Sequence, residues 1–389
     1  MRIFKKRAAA IAITVAGVIT FSAILPGLSF MNSQGAAWNI VYAEEESEET
    51  LDLIDDYFDI NYVTINDEDY TYSDKIKTYL FMGTDHSGNE DPEEDEEYQG
   101  SMADFLLVLV VNSTQKTYGM IQLNRDTMTE VTLLTDDGYD SGTALEQICT
   151  AHWYGGSKED SCENTVDVVS ELLGEVDIDG YYALPMDYIS SFNSAVGGVT
   201  ITISGDLTDI DPAMTDGATI TLTDEQATAF IQNRMNVGEG KNADRMDRQR
   251  QFLSAFTQQA KELMSEDSSF FTDTLDDLSE YATTDLSQNT LSKIINKLYK
   301  YESLGIFYLD GETVIGQTLG DGVDHEEYYL TDTAVLDVMT ELYNLTYEDD
   351  LLSLFDEEDE YDDEFETEDD FDWYEDSDDD EDESETEDF

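Results

Sequence analysis

The residues with the clearest chemical potential in this chain are a few arginines and two aspartates set at the ends of apolar runs. Beyond Arg2 and Arg7, the 389 residues contain five arginines, Arg125, Arg234, Arg245, Arg248 and Arg250, four of them within 17 positions. A guanidinium is a planar fork of donors matched to phosphate oxygens, and Arg245 and Arg248, three apart, share one face of a helix. Asp85 closes Phe81-Met82-Gly83-Thr84-Asp85, and Asp104 opens the next apolar run. Tips of buried strands are where α/β sheets present ligand residues. Arg125-Asp126 likewise follows an apolar stretch ending at Leu123. Oxygen ligands from two strand tips, joined by arginines, describe a site for Mg²⁺ and a pyrophosphate: the metal bridges phosphoryl oxygens and the arginines neutralise charge on the leaving group. The competing explanation is plain pairing of the arginines with Asp224, Glu225, Glu239, Asp244 and Asp247.

Charge makes these arginines conspicuous. The chain has 18 Lys+Arg against 91 Asp+Glu, a net charge of −73. Such a field repels nucleic acid and anionic surfaces, so no nucleic-acid partner is expected, and an anionic ligand must be captured locally. Residues 356–389 hold 24 of the acidic side chains and no Lys or Arg; such a segment cannot bury enough apolar surface to order itself, and residues 346–389 read as a disordered acidic tail. At the other end Arg2, Lys5, Lys6 and Arg7 precede an apolar run over 8–25, the pattern of an export signal near spanning length. Residues 1–43 therefore read as a signal-anchor or as a signal peptide cut after Ala43, and the rest as extracytoplasmic, held at the membrane by one N-terminal span or secreted.

Other catalytic cues are missing. The chain lacks a Gly-rich phosphate loop, G-x-S-x-G and H-E-x-x-H, and His86, His152 and His325 are scattered singly. Cys149 and Cys162 fit neither a zinc site nor a redox motif and leave two possibilities open, one disulfide or two free buried thiols.

The elements that must position the candidate residues alternate. Residues 44–74 read as an acidic linker. Residues 78–82, 104–111 and 118–123 read as buried strands, residues 144–153, 161–173 and 186–196 as helices, and 199–203 as a strand. Thr223-Asp224-Glu225-Gln226 is a capping box opening a helix, and 244–264 a longer amphipathic one. A helix–strand–strand–helix set follows to 343. The whole predicts one α/β domain over 75–345 with its core in 75–265, an α-β-α sandwich with a mixed central sheet.

The stretches LFMGTDHS (80–87), ADFLLVLVVN (103–112), IQLNRDTMTEV (121–131), LTDEQATAFIQNR (222–234) and ADRMDRQRQFL (243–253), in this order, resemble the LytR-CpsA-Psr (LCP) family of cell-envelope proteins. The resemblance implies a membrane-anchored transferase that moves a glycopolymer, such as teichoic acid, from an undecaprenyl-pyrophosphate carrier to peptidoglycan. It implies that Asp85 and Asp104 hold Mg²⁺ or Mn²⁺, that Arg125, Arg234 and Arg245 grip the pyrophosphate with Arg248 in support, and that an apolar groove near Phe105, Ile189, Phe192 and Phe230 takes the prenyl chain. A prenyl-pyrophosphate hydrolase and a catalytically silent acidic surface protein are the alternatives. The chain departs from the family pattern at Met102-Ala103, where Arg-Ser is frequent, at Asn124, where Pro is frequent, and at His86, where Arg is common.

Overall fold

The computed structural model describes residues 60–90, 98–135, 137–233, 242–266 and 270–347. The export segment with its Ala43 boundary, Arg234 and residues 348–389 lie outside the described residues. In chain order the strands are β1 (Ile60–Ile65), β2 (Glu68–Ser73), β3 (Ile76–Thr84), β4 (Ala103–Asn112), β5 (Thr117–Leu123), β6 (Met128–Leu134), β7 (Asp140–Gln147), β8 (Tyr181–Pro185), β9 (Thr200–Thr202), β10 (Thr219–Thr221), β11 (Thr283–Thr284), β12 (Glu302–Tyr308), β13 (Gly311–Gly316), β14 (His325–Leu330) and β15 (Thr346–Tyr347). The helices are α1 (Lys158–Leu172), α2 (Ile189–Ala195), α3 (Asp224–Gln232), α4 (Asn242–Glu266), α5 (Phe270–Leu278), α6 (Gln288–Lys300) and α7 (Ala334–Tyr343).

A six-stranded sheet in the order β11-β8-β3-β4-β5-β12 forms the centre. It is mixed: β3 runs parallel to β8 and β12 parallel to β5, while β4 is antiparallel to both its neighbours. The near-continuous apolar run of β4 follows from burial on both faces. Leu106, Val108 and Val110 join Val168 and Val169 of α1 and Met339 and Leu342 of α7 on one side. Leu107, Leu109 and Val111 meet Leu275 of α5 and Leu291, Ile294 and Ile295 of α6 on the other. Two helical layers on one sheet give the expected α-β-α sandwich.

Local signals set the helices that matter. Thr223 accepts from the Gln226 amide while the Gln226 side chain accepts from the Thr223 amide, the reciprocal cap read in the sequence. The long helix anticipated at 244–264 is α4, two residues longer at each end. At Gly83 an added Cβ would lie 3.0 Å from Phe105 Cβ and 3.0 Å from Met186 Cγ, so a glycine lets β3 end tightly against its neighbours.

Three expectations are corrected. Residues 60–73 are not linker: β1 and β2 form a hairpin whose turn, Asn66-Asp67, has φ of 54° and 64°, and β15 pairs with β2. Thr346 and Tyr347 accordingly belong to a sheet and not to a tail. Residues 144–153 are not a helix: Asp140–Gln147 pairs with β6, and a short 3₁₀ segment, Ile148–Trp153, follows. Ala144, Leu145, Glu146 and Gln147 favour helix intrinsically, and strand pairing overrides that preference. Among the described residues no helix is long and apolar enough to cross a membrane.

Cys149 and Cys162 are free thiols, both buried, which resolves the alternatives left by their spacing. Burial pushes the Cys149 thiol up to about 11 and Cys162 higher still. Both are therefore protonated and shielded at neutral pH, so native protein at pH 8 should leave an aromatic disulfide reagent unreacted, and denaturant should release two equivalents. Rapid labelling of either thiol in the native state would contradict this packing.

Candidate active site

The register of the sheet brings the candidate residues to one edge. The antiparallel pairing runs to Leu106 opposite Leu123, and two residues further on each side come Asp104 and Arg125, whose side chains meet. On the other side of β4, the Asp85 amide donates to the Met102 carbonyl at 3.0 Å. Asp85, Asp104 and Arg125 thus come from three adjacent strands, and α4 crosses above them with Arg245.

Asp104 is the meeting point. Its Oδ1 accepts from Arg125 Nη1, and its Oδ2 from Arg245 Nη1 at 3.1 Å. Both guanidiniums are largely buried, with Arg245 only 5% exposed. A shared carboxylate offsets the desolvation of two cations, which would otherwise cost several kcal/mol. Arg125 also donates from Nε to Asp126 at 3.2 Å and from Nη2 to Met102 Sδ at 3.3 Å. Burial works against its charge, but Cys149, Asp126 and Asp85 nearby outweigh this and hold it above its ordinary value. Of these the carboxylates carry the effect at neutral pH, since the Cys149 thiol is un-ionised.

Arg245 is steered by a residue the sequence reading missed. Asn242 Oδ1 accepts from Arg245 Nε at 3.1 Å and from Nη2 at 2.8 Å, leaving Nη1 aimed at Asp104. Asn242 Nδ2 in turn donates to Asn124 Oδ1 at 2.7 Å, which also accepts the Asp126 amide at 3.0 Å. The signal was present in the spacing: Asn242 stands three residues before Arg245, on the same helix face.

Asp85 is held differently. Its Oδ1 accepts from the Ser87 amide at 3.0 Å, the Ser87 hydroxyl at 2.6 Å and the Met102 amide at 2.9 Å. Among the described residues Oδ2 carries no hydrogen bond. No group of three or more His, Cys, Asp or Glu side chains clusters for a metal among the described residues. Mg²⁺ asks for less: it retains waters, bridges phosphate oxygens and takes one or two carboxylates, a number that Asp85 and Asp104 supply.

Arg248 does not join this group. Its Nε donates to the Phe230 carbonyl at 2.7 Å, Nη1 to the Asp244 carbonyl at 3.2 Å, and Nη2 to the Asn233 carbonyl. Burial lowers its pKa from the usual arginine value. The side chain expected to support anion binding instead ties the C-terminal end of α3 to α4.

Beside the polar cluster an apolar cavity of about 270 Å³ runs between the sheet and helices α4, α5 and α6. Gly83 and Phe105, near neighbours of Asp85 and Asp104, line one part of it, and Leu109, Phe256 and Ile294 line others. Phe105, Ile189 and Phe192 line the cavity as the sequence suggested. Phe230 does not: it is fully buried in the packing of α3 on α4.

The chain belongs to the LytR_cpsA_psr family, whose sequence profile matches residues 30–344. Over 170 residues it is 28% identical to the "Polyisoprenyl-teichoic acid--peptidoglycan teichoic acid transferase TagU" of Halalkalibacterium halodurans, covering 44% of this chain and 51% of the relative. Over 275 residues it is 26% identical to Biofilm regulatory protein A of Streptococcus mutans, covering 67% of this chain and 62% of the relative. The chain thus spans about half to three-fifths of the length of the curated relatives it matches. Protein gbs0355 from Streptococcus agalactiae superposes with a TM-score of 0.53 at 20% identity, over 72% of this chain and 95% of that one. TagT bound to LI-WTA superposes with a TM-score of 0.50 at 19% identity, over 69% and 90% respectively. These likenesses show a shared fold.

Two substitutions separate anchoring from orientation. Arg248→Ala strips donors from buried carbonyls and should cost about 1–3 kcal/mol in denaturant unfolding, with binding of a soluble pyrophosphate unchanged once the protein is folded. Asn242→Ala leaves the Arg245 guanidinium without its guide and should weaken pyrophosphate binding about tenfold, measured by calorimetry. Equal pyrophosphate affinity in Asn242→Ala and the parent chain would refute the orienting role.

Proposed function

We propose that this chain is a Mg²⁺-dependent phosphotransferase that moves a glycopolymer from an undecaprenyl-pyrophosphate carrier to peptidoglycan outside the cytoplasm. The observation that carries the reading is the juxtaposition of a two-arginine cluster on Asp104 with an apolar cavity whose lining reaches Phe105, the next residue. A ligand that is a pyrophosphate at one end and a hydrocarbon chain at the other matches both halves. The name of the TagU relative, which states a transfer of teichoic acid between a polyisoprenyl carrier and peptidoglycan, supports the same chemistry.

On this reading the prenyl chain lies in the cavity and the pyrophosphate displaces Asp104 from one or both guanidiniums. A sugar hydroxyl of peptidoglycan attacks the phosphorus next to the polymer, the P–O bond to the lipid phosphate breaks, and the lipid monophosphate leaves with charge spread towards Arg125 and Arg245. The hydroxyl proton passes to a carboxylate. Asp85 and Asp104 are the two candidates: Asp85 Oδ2 is not hydrogen-bonded among the described residues, and Asp104 is released as the pyrophosphate takes over its arginines, with metal ligation competing for either carboxylate. Mg²⁺, held by Asp85 and Asp104, would supply charge neutralisation at the phosphoryl oxygens. Arg234 is the third expected anion ligand.

The test uses the full chain with a prenyl-pyrophosphate disaccharide and peptidoglycan fragments. Asp104→Ala and Arg245→Ala should each abolish Mg²⁺-dependent release of prenyl phosphate while circular dichroism stays unchanged. A glycan–peptidoglycan conjugate among the products distinguishes transfer from hydrolysis. Undiminished turnover in both variants would remove the proposed site.

A further inference from the structure

Arg250, like Arg248, lies outside the cluster on Asp104. Arg250, on α4, donates from Nη1 to Gln122 Oε1 at 3.2 Å and from Nη2 to Asp247, and its guanidinium lies 5.2 Å from the centre of the Tyr308 ring. Tyr308 ends β12, the edge strand of the central sheet, and is 53% exposed. Its hydroxyl makes no hydrogen bond among the described residues. An aromatic ring is therefore held against a cation on one side while about half of the residue stays exposed.

The location gives this pair a purpose. Tyr308 is opposite Gln122 in the parallel β5–β12 pair, and Gln122 precedes Arg125 by three residues in the same chain segment, roughly 10 Å along it. Tyr328 connects the two places. Its amide donates to the Asp126 carbonyl at 2.8 Å, and its hydroxyl donates at 2.8 Å to the carbonyl of Leu309, the residue after Tyr308. The ring is thus displaced from the arginine cluster by about the length of one or two sugar units, across β5 from the strands that line most of the apolar cavity.

We propose that Tyr308 and Arg250 form a subsite for a pyranose ring of a glycan chain whose reacting end lies at Arg125 and Arg245. The apolar face of the sugar stacks on the face of Tyr308 turned away from Arg250, while Arg250, itself held by Gln122 and Asp247, fixes the ring from behind. A neutral, hydroxyl-rich ligand suits this spot. Arg250 is already neutralised by Asp247, so the pair exerts little net attraction on an anion. The inference rests on the transferase reading, and names where that enzyme would hold glycan. The ring could belong to the lipid-linked donor or to the peptidoglycan acceptor, which share this chemistry.

Three probes separate these possibilities on the full chain: a soluble N-acetylglucosamine–N-acetylmuramic acid tetrasaccharide, a prenyl-pyrophosphate disaccharide, and a prenyl pyrophosphate with no sugar. Tyr308→Ala should weaken binding of at least one sugar-bearing probe by about fivefold or more. Tyr308→Trp should retain it, and the sugar-free probe should bind all three proteins equally. Loss confined to the tetrasaccharide assigns the acceptor, and loss confined to the lipid-linked disaccharide assigns the donor. Unchanged affinity of Tyr308→Ala for both sugar-bearing probes would overturn the subsite while leaving the transferase reading intact. A parent chain that binds the sugar-free probe and shows no added affinity for either glycan would overturn both.

Discussion

The carboxylate of Asp104 between two guanidiniums is the interaction on which the rest of the site depends. Arg125 and Arg245 come from elements distant in sequence, yet both are largely buried and carry the same charge. At short range in a partly desolvated setting their repulsion amounts to several kcal/mol. One anion between them turns that penalty into attraction, and it does so only while three things hold: β4 begins at Ala103, β5 keeps its register against β4, and α4 lies over the sheet edge in one orientation. Asn242 secures the last condition by fixing two of the Arg245 donors. The same arithmetic makes the cluster responsive to ligand, since a pyrophosphate brings more negative charge than the carboxylate it would replace.

Much of this was legible in the sequence because the physics involved is local or periodic. The apolar run of β4 announces a strand covered on both faces, and the Thr223–Gln226 cap announces the start of α3. Asp104 and Arg125 could be singled out because each adjoins such a run. What stayed hidden depends on contacts between distant segments. Arg248 and Arg245 share a helix face in the sequence, but only packing shows that α3 ends where the Arg248 fork meets its carbonyls. Asn242 and Asn124 are polar residues of ordinary type, 118 positions apart, and nothing in their spacing predicts that they touch. The hairpin of β1 and β2 looks like a linker in the sequence because its Asp, Glu and Tyr residues resemble a solvated segment, although Tyr70 and Tyr72 are buried.

The positions at which this chain departs from the usual family pattern carry contacts of their own. Met102 replaces a frequent arginine, and its sulfur accepts from Arg125, a soft, adaptable partner in place of a like charge. Asn124 replaces a frequent proline, and its side-chain oxygen caps the Asp126 amide while receiving Asn242; the fixed backbone of a proline is traded for a side-chain hydrogen-bond link to α4. His86 replaces a common arginine and pairs with Asp187 at 2.9 Å. With Met102, Asn124 and His86 engaged in these contacts, few cations crowd Asp104, which limits the repulsion that Arg125 and Arg245 must withstand.

That economy explains how a chain with a net charge of −73 can present a site for an anion. Exposed charges separated by more than about 8 Å are largely screened at physiological ionic strength, so only carboxylates within that distance weigh on a buried guanidinium. What an approaching anion would meet is set by the first few ångströms: Arg125 and Arg245 with Asp104 between them, Asp126 and Asp85 beside Arg125, and an apolar wall on one side. A strongly basic surface would attract anions of every kind. On the proposed reading, an acidic surface around two buried guanidiniums disfavours soluble polyanions, and a lipid-linked pyrophosphate would gain what they lack from its hydrocarbon chain in the adjoining cavity.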